Sequence, residues 1–454
     1  MSSDPTYSLQ PTAYSPSSAA PPPWPSPRHA WYVIFVLMVA YTLSYIDRTI
    51  VDLLVEPIKA DLGLSDTQFS LLRGLAFAIF YTVLGIPFGI WADHSNRRNI
   101  IAIGIAFWSL MTALCGFART FGQLFLARVG VGIGEAALTP AAYSMIADYF
   151  PPEKRGRALG VYAMGVFIGI GLAIMIGGFV VAAVARVPVV TLPIVGEIRS
   201  WQVAFMAVGL PGLLVALWVM TIAEPLRRGA GAPEHPWSMF RQALVFIRSQ
   251  WRFFALHFGG YALLTMLFNA LTAWIPAYLI RTHGYTAGDI AITYGPLLLV
   301  FGSAGIYCGG WLADTLRKRG HRDAEMRAGL YSALLLWPFA ALTTLMPTDT
   351  LALAMLAPLL FFASFPFAAA ASALQLVTPN RLRAQVSAFY LLIVNLTGIG
   401  FGGTLTALVT DYVFADELAV GRAMALVGLI LAPLAAILLW RGMYHLRLSA
   451  AASD

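Results

Sequence analysis

The sequence predicts an all-α membrane protein: twelve transmembrane helices arranged as two pseudo-symmetric six-helix bundles. Three observations lead there. Of 454 residues, 59% are hydrophobic and only 11% are charged, with a mean hydropathy of +0.74, against roughly 25% charge in soluble domains. Apolar windows of about 20 residues, enough to span a bilayer, recur along the whole chain. Two loop motifs of the first half return in the second, 221 and 228 residues later.

The elements follow in order. Residues 1–29, rich in Pro, Ser and Ala ("PPPWPSP"), read as a disordered tail. Spans are expected at 30–57, 67–92, 99–118, 121–149, 157–184 and 200–222, which form a first bundle over 30–222. The segment 223–250 is the longest polar interruption. Its Arg241 and Arg248 beside Phe240 and Phe246 predict a short amphipathic surface helix in a cytoplasmic linker. A second bundle over 251–447 holds spans at 251–280, 289–312, 329–347, 351–378, 384–410 and 420–441, followed by a tail at 448–454. The first apolar run is too long for a signal-peptide core, so it is expected to be retained.

The repeats support this division. "GIWADHSNRR" (89–98) follows the second span and "GWLADTLRKR" (310–319) the eighth. "PPEKRGRALG" (151–160) and "PNRLRAQVSA" (379–388) each follow the fourth span of their half. A duplicated six-helix unit is the build of many secondary transporters.

Charge placement sets orientation and excludes a nucleic-acid partner. Of the 29 Lys and Arg, 20 fall in tails and loops sharing one side with both termini. Six fall on the other side (Lys59, Arg119, Arg186, Arg199, Arg281 and Arg422), and three lie within spans. By the positive-inside rule both termini are cytoplasmic, which is compatible with a bacterial inner membrane. The net charge of +7 is thus a topology signal. Cys115 and Cys308 lie in spans and imply no disulfide framework. The seven His are scattered, no Ser-His-Asp arrangement is apparent, and no metal or organic cofactor is expected. The run Gly130, Gly132, Gly134 lacks the strand of a nucleotide loop and reads as close helix packing.

Charges inside the spans are few. Asp47 and Arg48 lie in the first and Arg128 and Glu135 in the fourth, with Arg73 near one end and Asp52 and Glu56 nearing the outer surface. The helix cores of the second half contain no Asp, Glu, Lys or Arg. Arg128 and Glu135 are seven residues apart and share a face, about 10 Å along the axis. Counted from the outer ends, Asp47 is ~15 Å deep, between Arg128 at ~10 Å and Glu135 at ~21 Å. Adjacent residues point about 100° apart. Asp47 is therefore expected to face Arg128 and Glu135 and carry a proton, while Arg48 faces the cavity and meets an anionic group. Glu135 is the second proton candidate. In the second half Tyr261, Phe268, Asn269, Trp274, Tyr294 and Asn395 are expected to line a greasy cavity wall opposite Arg48.

The loop G-x-x-A-D-x-x-x-R-R, with Gly89, Asp93, Arg97 and Arg98 at its key positions, resembles the signature of the major facilitator superfamily. Arg128 with "VGVGIGE" resembles that superfamily's fourth-helix motif. Asp-Arg in the first span, Asn96, and "GEAALTPAAYSMIADYF" resemble most the Spinster group of lipid transporters. The resemblance implies that Asp93 sits against the start of the eleventh helix near Arg383, stabilising an outward-facing state. Asp314 would make the symmetric contact with the fifth helix, after the loop bearing Arg155. It also implies contact between helices one and four. The fifth helix lacks the proline of the antiporter pattern and keeps a small-residue face of Gly165, Gly169, Gly177 and Gly178. The expected function is proton-coupled transport of an amphipathic anion, a lysophospholipid or sphingolipid-like molecule, by a monomer. Sugar-acid symporters share "DR" and Arg-x6-Glu and are the rival. An intramembrane enzyme and a receptor fit less well.

Overall fold

The computed structural model describes residues 24–186, 189–192, 196–227 and 236–451; of the expected tails, 1–23 and 452–454 lie outside them, while 27–29 and 448–451 are helical rather than tail. The first half contains α1 (Pro27–Leu53), α2 (Val55–Leu62), α3 (Asp66–Ala92), α4 (Arg97–Cys115), α5 (Phe121–Tyr149) and α6 (Pro152–Val184). A short antiparallel hairpin, β1 (Val189–Leu192) with β2 (Gly196–Arg199), then leads into α7 (Ser200–Val219). The helix α8 (Pro236–Ser249) joins this to α9 (Trp251–His283), α10 (Ala287–Lys318), α11 (Ala324–Leu345), α12 (Asp349–Val377), α13 (Gln385–Phe414) and α14 (Glu417–Leu448). Eleven of the described helices are long and apolar enough to cross a membrane, and α6 contributes a shorter apolar stretch, Ile168–Val184. The chain is an integral multi-pass membrane protein.

Local chemistry sets the boundaries. Ser65 and Gln68 form a reciprocal capping box at the start of α3, which satisfies two free backbone N–H groups. Asn96 of the first loop motif caps α4 by accepting from the Asn99 amide at 3.0 Å. The expected single helix over 30–57 breaks at Leu54, because Pro57 has no N–H to give to the Leu53 carbonyl. The helix expected from 329 begins instead at Ala324 and brings Glu325 into the interior, 1% exposed. The second half, whose helix cores are expected to hold no charge, therefore does bury one; Arg317, one loop back, pairs with Glu325. The linker helix α8 docks on α13 through Phe240 and Phe389, whose ring centroids are 4.8 Å apart.

In the first half α1 runs along α6, and α4 packs between α5 and α7; in the second, α14 packs on α9 and α11. Where the halves meet, α6 crosses α10 and α3 crosses α13. Small residues let these backbones approach. A Cβ on Gly178 of α6 would lie 2.6 Å from the Ala287 carbonyl, and one on Gly74 of α3 would lie 2.6 Å from the Ile399 carbonyl. Three of the four crossing helices carry a π turn near this seam: Leu71–Leu75 in α3, Leu298–Gly302 in α10 and Leu396–Phe401 in α13.

Polar ties between the halves concentrate at the end away from the termini, called distal here. Arg281 at the end of α9 reaches Glu56 at 2.7 Å and both oxygens of Asp66 at 2.7 and 2.8 Å. Lys59 pairs with Asp66 and, at 2.8 Å, with Glu417. The Thr67 amide donates to Asp411, and Ser70 to Thr404. These ties all lie at this end and hold the halves closed distally. Asp66 is fully buried and Arg281 and Lys59 nearly so, while Glu417 is 57% exposed. The buried trio therefore dominates, since exposed pairs contribute about 0–1 kcal/mol, whereas breaking a buried one costs roughly 3–5 kcal/mol.

Arg281→Gln should weaken the distal closure. With Cys115 and Cys308 replaced by Ala, a reporter cysteine at Thr404 should react several-fold faster with a membrane-impermeant maleimide in this variant. An unchanged rate would show that the clasp does not hold the halves together.

Candidate functional site

The four interior charges of the first half do converge, with a different pairing from the one their depths suggested. Arg48 of α1, not Asp47, meets Glu135 of α5, with Nε 2.6 Å from Oε2. The Arg48 guanidinium also lies 4.5 Å from the ring centroids of Phe77 and Tyr81 on α3, and 5.1 Å from that of Tyr45. Each such contact is worth about 0.5–2 kcal/mol, more as water is excluded. The Glu135 side chain has no exposed surface, whereas 14% of the Arg48 side chain remains exposed. The guanidinium is the one member of the pair that keeps an open edge.

Asp47 turns the other way, as the 100° step between neighbours requires. Its Oδ2 accepts from the Trp108 indole of α4 at 2.9 Å. Arg128 of α5 does not meet the Asp47 carboxylate; its Nη1 donates to the Asp47 backbone carbonyl at 2.9 Å. Asp47, Arg128 and Glu135 are all at most 1% exposed. Asp47 Oδ1, Arg128 Nε and Glu135 Oε1 have no hydrogen-bond partner among the described residues. With both carboxylates ionised, they and the two guanidiniums sum to zero charge; three polar atoms have no partner.

The glycine run positions this cluster. A Cβ on Gly134 would lie 2.7 Å from Trp108 Cβ, and one on Gly132 would lie 2.6 Å from the Phe77 carbonyl. Without side chains at these two positions, α5 reaches α4 and α3 and delivers Arg128 and Glu135 to α1. A second pair lies further toward the distal end. Asp52 of α1 takes Nε and Nη2 of Arg73 from α3 at 2.6 and 3.1 Å.

The wall expected from the second half is absent as such. Tyr261, Trp274 and Tyr294 are at most 2% exposed, packed into the interior. Tyr261 donates to the Glu325 carbonyl and Trp274 to that of Gly403. Phe268 is 7% exposed and sits edge-on to Phe367. Asn269 donates to Thr265 within its own helix, and it and Asn395 are only half-buried. The partly exposed rings beside Arg48 are instead on the first half, Tyr45 and Tyr81, with Phe77 buried beneath them at 1% exposed. Sequence reasoning missed these, although Phe77 and Tyr81 at i and i+4 share a helix face.

The loop residues resolve unevenly. Arg97 is fully buried; it pairs with Asp148 and, at 2.7 Å, with Glu224, so it ties α4 to α5 and to the chain after α7. The Arg98 amide donates to Glu224 at 3.0 Å. Arg383 donates to the Thr378 carbonyl at 3.1 Å. A Cβ on Gly89 would make ordinary contact with Pro140. The side chains of Asp93 and Arg155 lie outside the described residues, as do those of Pro152, Glu153 and Arg157 at the start of α6; Asp314 is exposed.

Comparison with known proteins places this geometry. The Major Facilitator Superfamily profile matches residues 37–403. An "MFS-type efflux pump" of Mycolicibacterium smegmatis is 30% identical over 91% of this chain and 92% of its own length. A "probable L-galactonate transporter" of Escherichia coli is 27% identical over 70% of this chain and 68% of its own. "Protein spinster homolog 1" of Xenopus tropicalis is 28% identical, the match spanning 65% of this chain and 56% of that protein. Among solved structures, a bacterial homologue of the human lysosomal transporter Spinster, inward-facing and unoccupied, superposes with a TM-score of 0.75 at 28% identity. It covers 94% of this chain and 98% of that one.

Trp108→Phe retains the ring and removes the donor to buried Asp47. Losing a partner of a buried acceptor costs about 1–3 kcal/mol, so the melting temperature should fall by a few degrees. A melting temperature equal to the parent's would show that the indole does not hold Asp47.

Proposed function

The chain belongs to the Major Facilitator Superfamily, and we propose that it is a proton-coupled secondary transporter of an organic anion, working by alternating access. Its similarity extends to transporters rather than enzymes. In this reading α6 is a twelfth span, the halves are two six-helix bundles that rock about a midplane site, and the protein works as a monomer in an inner membrane with both termini cytoplasmic. The proton is the coupling ion.

The observation that carries the proposal is the state of Arg48. It is caged by three rings, neutralised by one buried carboxylate and open along one edge. A substrate anion arriving at that edge competes with Glu135 for the same charge. Protonating Glu135 removes the competitor and leaves Arg48 with an unneutralised charge that an anion satisfies. Proton and anion then occupy the site together. Asp47, held on the opposite side of α1 by Trp108 and backed by Arg128, is the second proton carrier. Its buried charge shapes the field at Glu135 without touching the substrate.

For the substrate, an anionic amphipath such as a lysophospholipid or a sphingolipid-like molecule is supported by the likeness to Spinster proteins over most of the chain. The partly exposed rings of Tyr45 and Tyr81 give an alkyl tail somewhere to lie. A sugar acid is the second reading, supported by relatives named as L-galactonate and hexuronate transporters.

Uptake into proteoliposomes under an imposed pH gradient tests both parts. Asp47→Asn should abolish pH-driven accumulation while the protein still folds. Glu135→Gln should bind the substrate at neutral pH at least as tightly as the parent and lose its pH dependence. A lysolipid and galactonate, offered separately, separate the substrate readings. Proton coupling unchanged in both variants would remove these carboxylates from the mechanism.

A further inference from the structure

Outside the central site, basic side chains line a groove of about 590 Å³ between the start of α9 and the end of α14. Both helices are membrane spans, and the groove takes in their last turns at the end bearing the C-terminus. Three guanidiniums, Arg252, Arg441 and Arg447, border it. Arg252 and Arg441 have no ion pair among the described residues. Arg447 has only a long contact, 3.7 Å from Asp323, whose carboxylate Arg327 already holds with two hydrogen bonds. The groove therefore carries positive charge that the protein leaves almost unmatched.

Its rim is aromatic. Trp251, Trp440 and Tyr444 are each about 60% exposed, and the Arg252 guanidinium lies 5.6 Å from the Trp251 ring centroid. Indole and phenol rings exposed at the end of a span sit at headgroup level, and basic pockets between spans attract anionic headgroups. Gly442 lets α14 settle deeply here, since a Cβ there would lie 3.5 Å from Leu256 Cβ and closer still to Met326. The floor of Ala255, Leu256 and Met443 is apolar. Charge above, rings at the boundary and an apolar floor match the profile of one phospholipid.

We propose that this groove is a binding site for an anionic phospholipid, with the phosphate between Arg252 and Arg441 and an acyl chain along Leu256 and Trp440. The site is separate from the Arg48 cluster and does not depend on the substrate assigned to it. Arg447 adds to the field from nearly two turns beyond Arg441.

The test uses the full chain in nanodiscs containing equal phosphatidylglycerol and phosphatidylcholine, released into detergent and weighed by native mass spectrometry. The protein should retain phosphatidylglycerol in preference to phosphatidylcholine. The double variant Arg252→Gln, Arg441→Gln should lose that retention at least five-fold, and Arg252→Lys, Arg441→Lys should restore most of it. Inorganic phosphate at millimolar concentration should not displace the lipid. Equal retention of both lipids by the parent, or full retention by the Gln variant, overturns the proposal. Complete displacement by phosphate overturns it in favour of a free-anion site. If the double variant fails to fold, Trp440→Ala serves instead, and retention equal to the parent's then counts against the site.

Discussion

A guanidinium and a carboxylate buried in apolar surroundings must find each other, and much of this protein is arranged around one such pair. Arg48 and Glu135 lie where water is largely excluded, and neither charge is tolerable there alone. Their union brings α1 to α5, and the rings of α3 close over the cation. Asp47 and Arg128 balance the same count from the other face of α1. With both carboxylates ionised the cluster is neutral as a whole, and one proton or one incoming anion then changes its balance by a full charge. Such a site is stable at rest and responds to either species, a proton or an anion.

What makes the cluster possible is the absence of side chains beside it. Gly132 and Gly134 let α5 lie against α3 and α4, and Gly74 and Gly178 let the halves touch backbone to backbone. The distal clasp then closes over the seam with buried charges of its own. The same rule operates at two places: ion pairs hold where glycine has brought the helices close enough to exclude water.

Much of this was legible in the sequence. Hydropathy and the repeated loops placed the long helices, the polar gap at 223–250 announced α8, and the scarcity of interior charge picked out Asp47, Arg48, Arg128 and Glu135. The pairing among the four was not legible. Depth along an axis orders residues by height, whereas partners are chosen by azimuth, and a single residue step turned Arg48 rather than Asp47 toward Glu135. Trp108 was invisible for a similar reason, since an indole in an apolar helix looks like packing until a carboxylate is found beside it. Tyr261 and Trp274 misled in the opposite sense. Their polar tips are satisfied by carbonyls inside their own half, so their whole rings are buried. The clasp was hidden because Lys59, Asp66 and Arg281 looked like ordinary residues of water-exposed loops.

The π turns at the seam have a consequence of their own. Each winds an additional residue into the turn without ending the helix, so α3, α10 and α13 carry slack where the halves meet. Such slack can migrate by one position, which rotates the segment beyond it while the backbone bonds re-form behind. A helix built this way is jointed rather than rigid. The two ends of α3, one under the clasp at Asp66 and the other beside the loop at Arg97, can therefore take different orientations, and movement at one face of the membrane need not be a mirror of movement at the other.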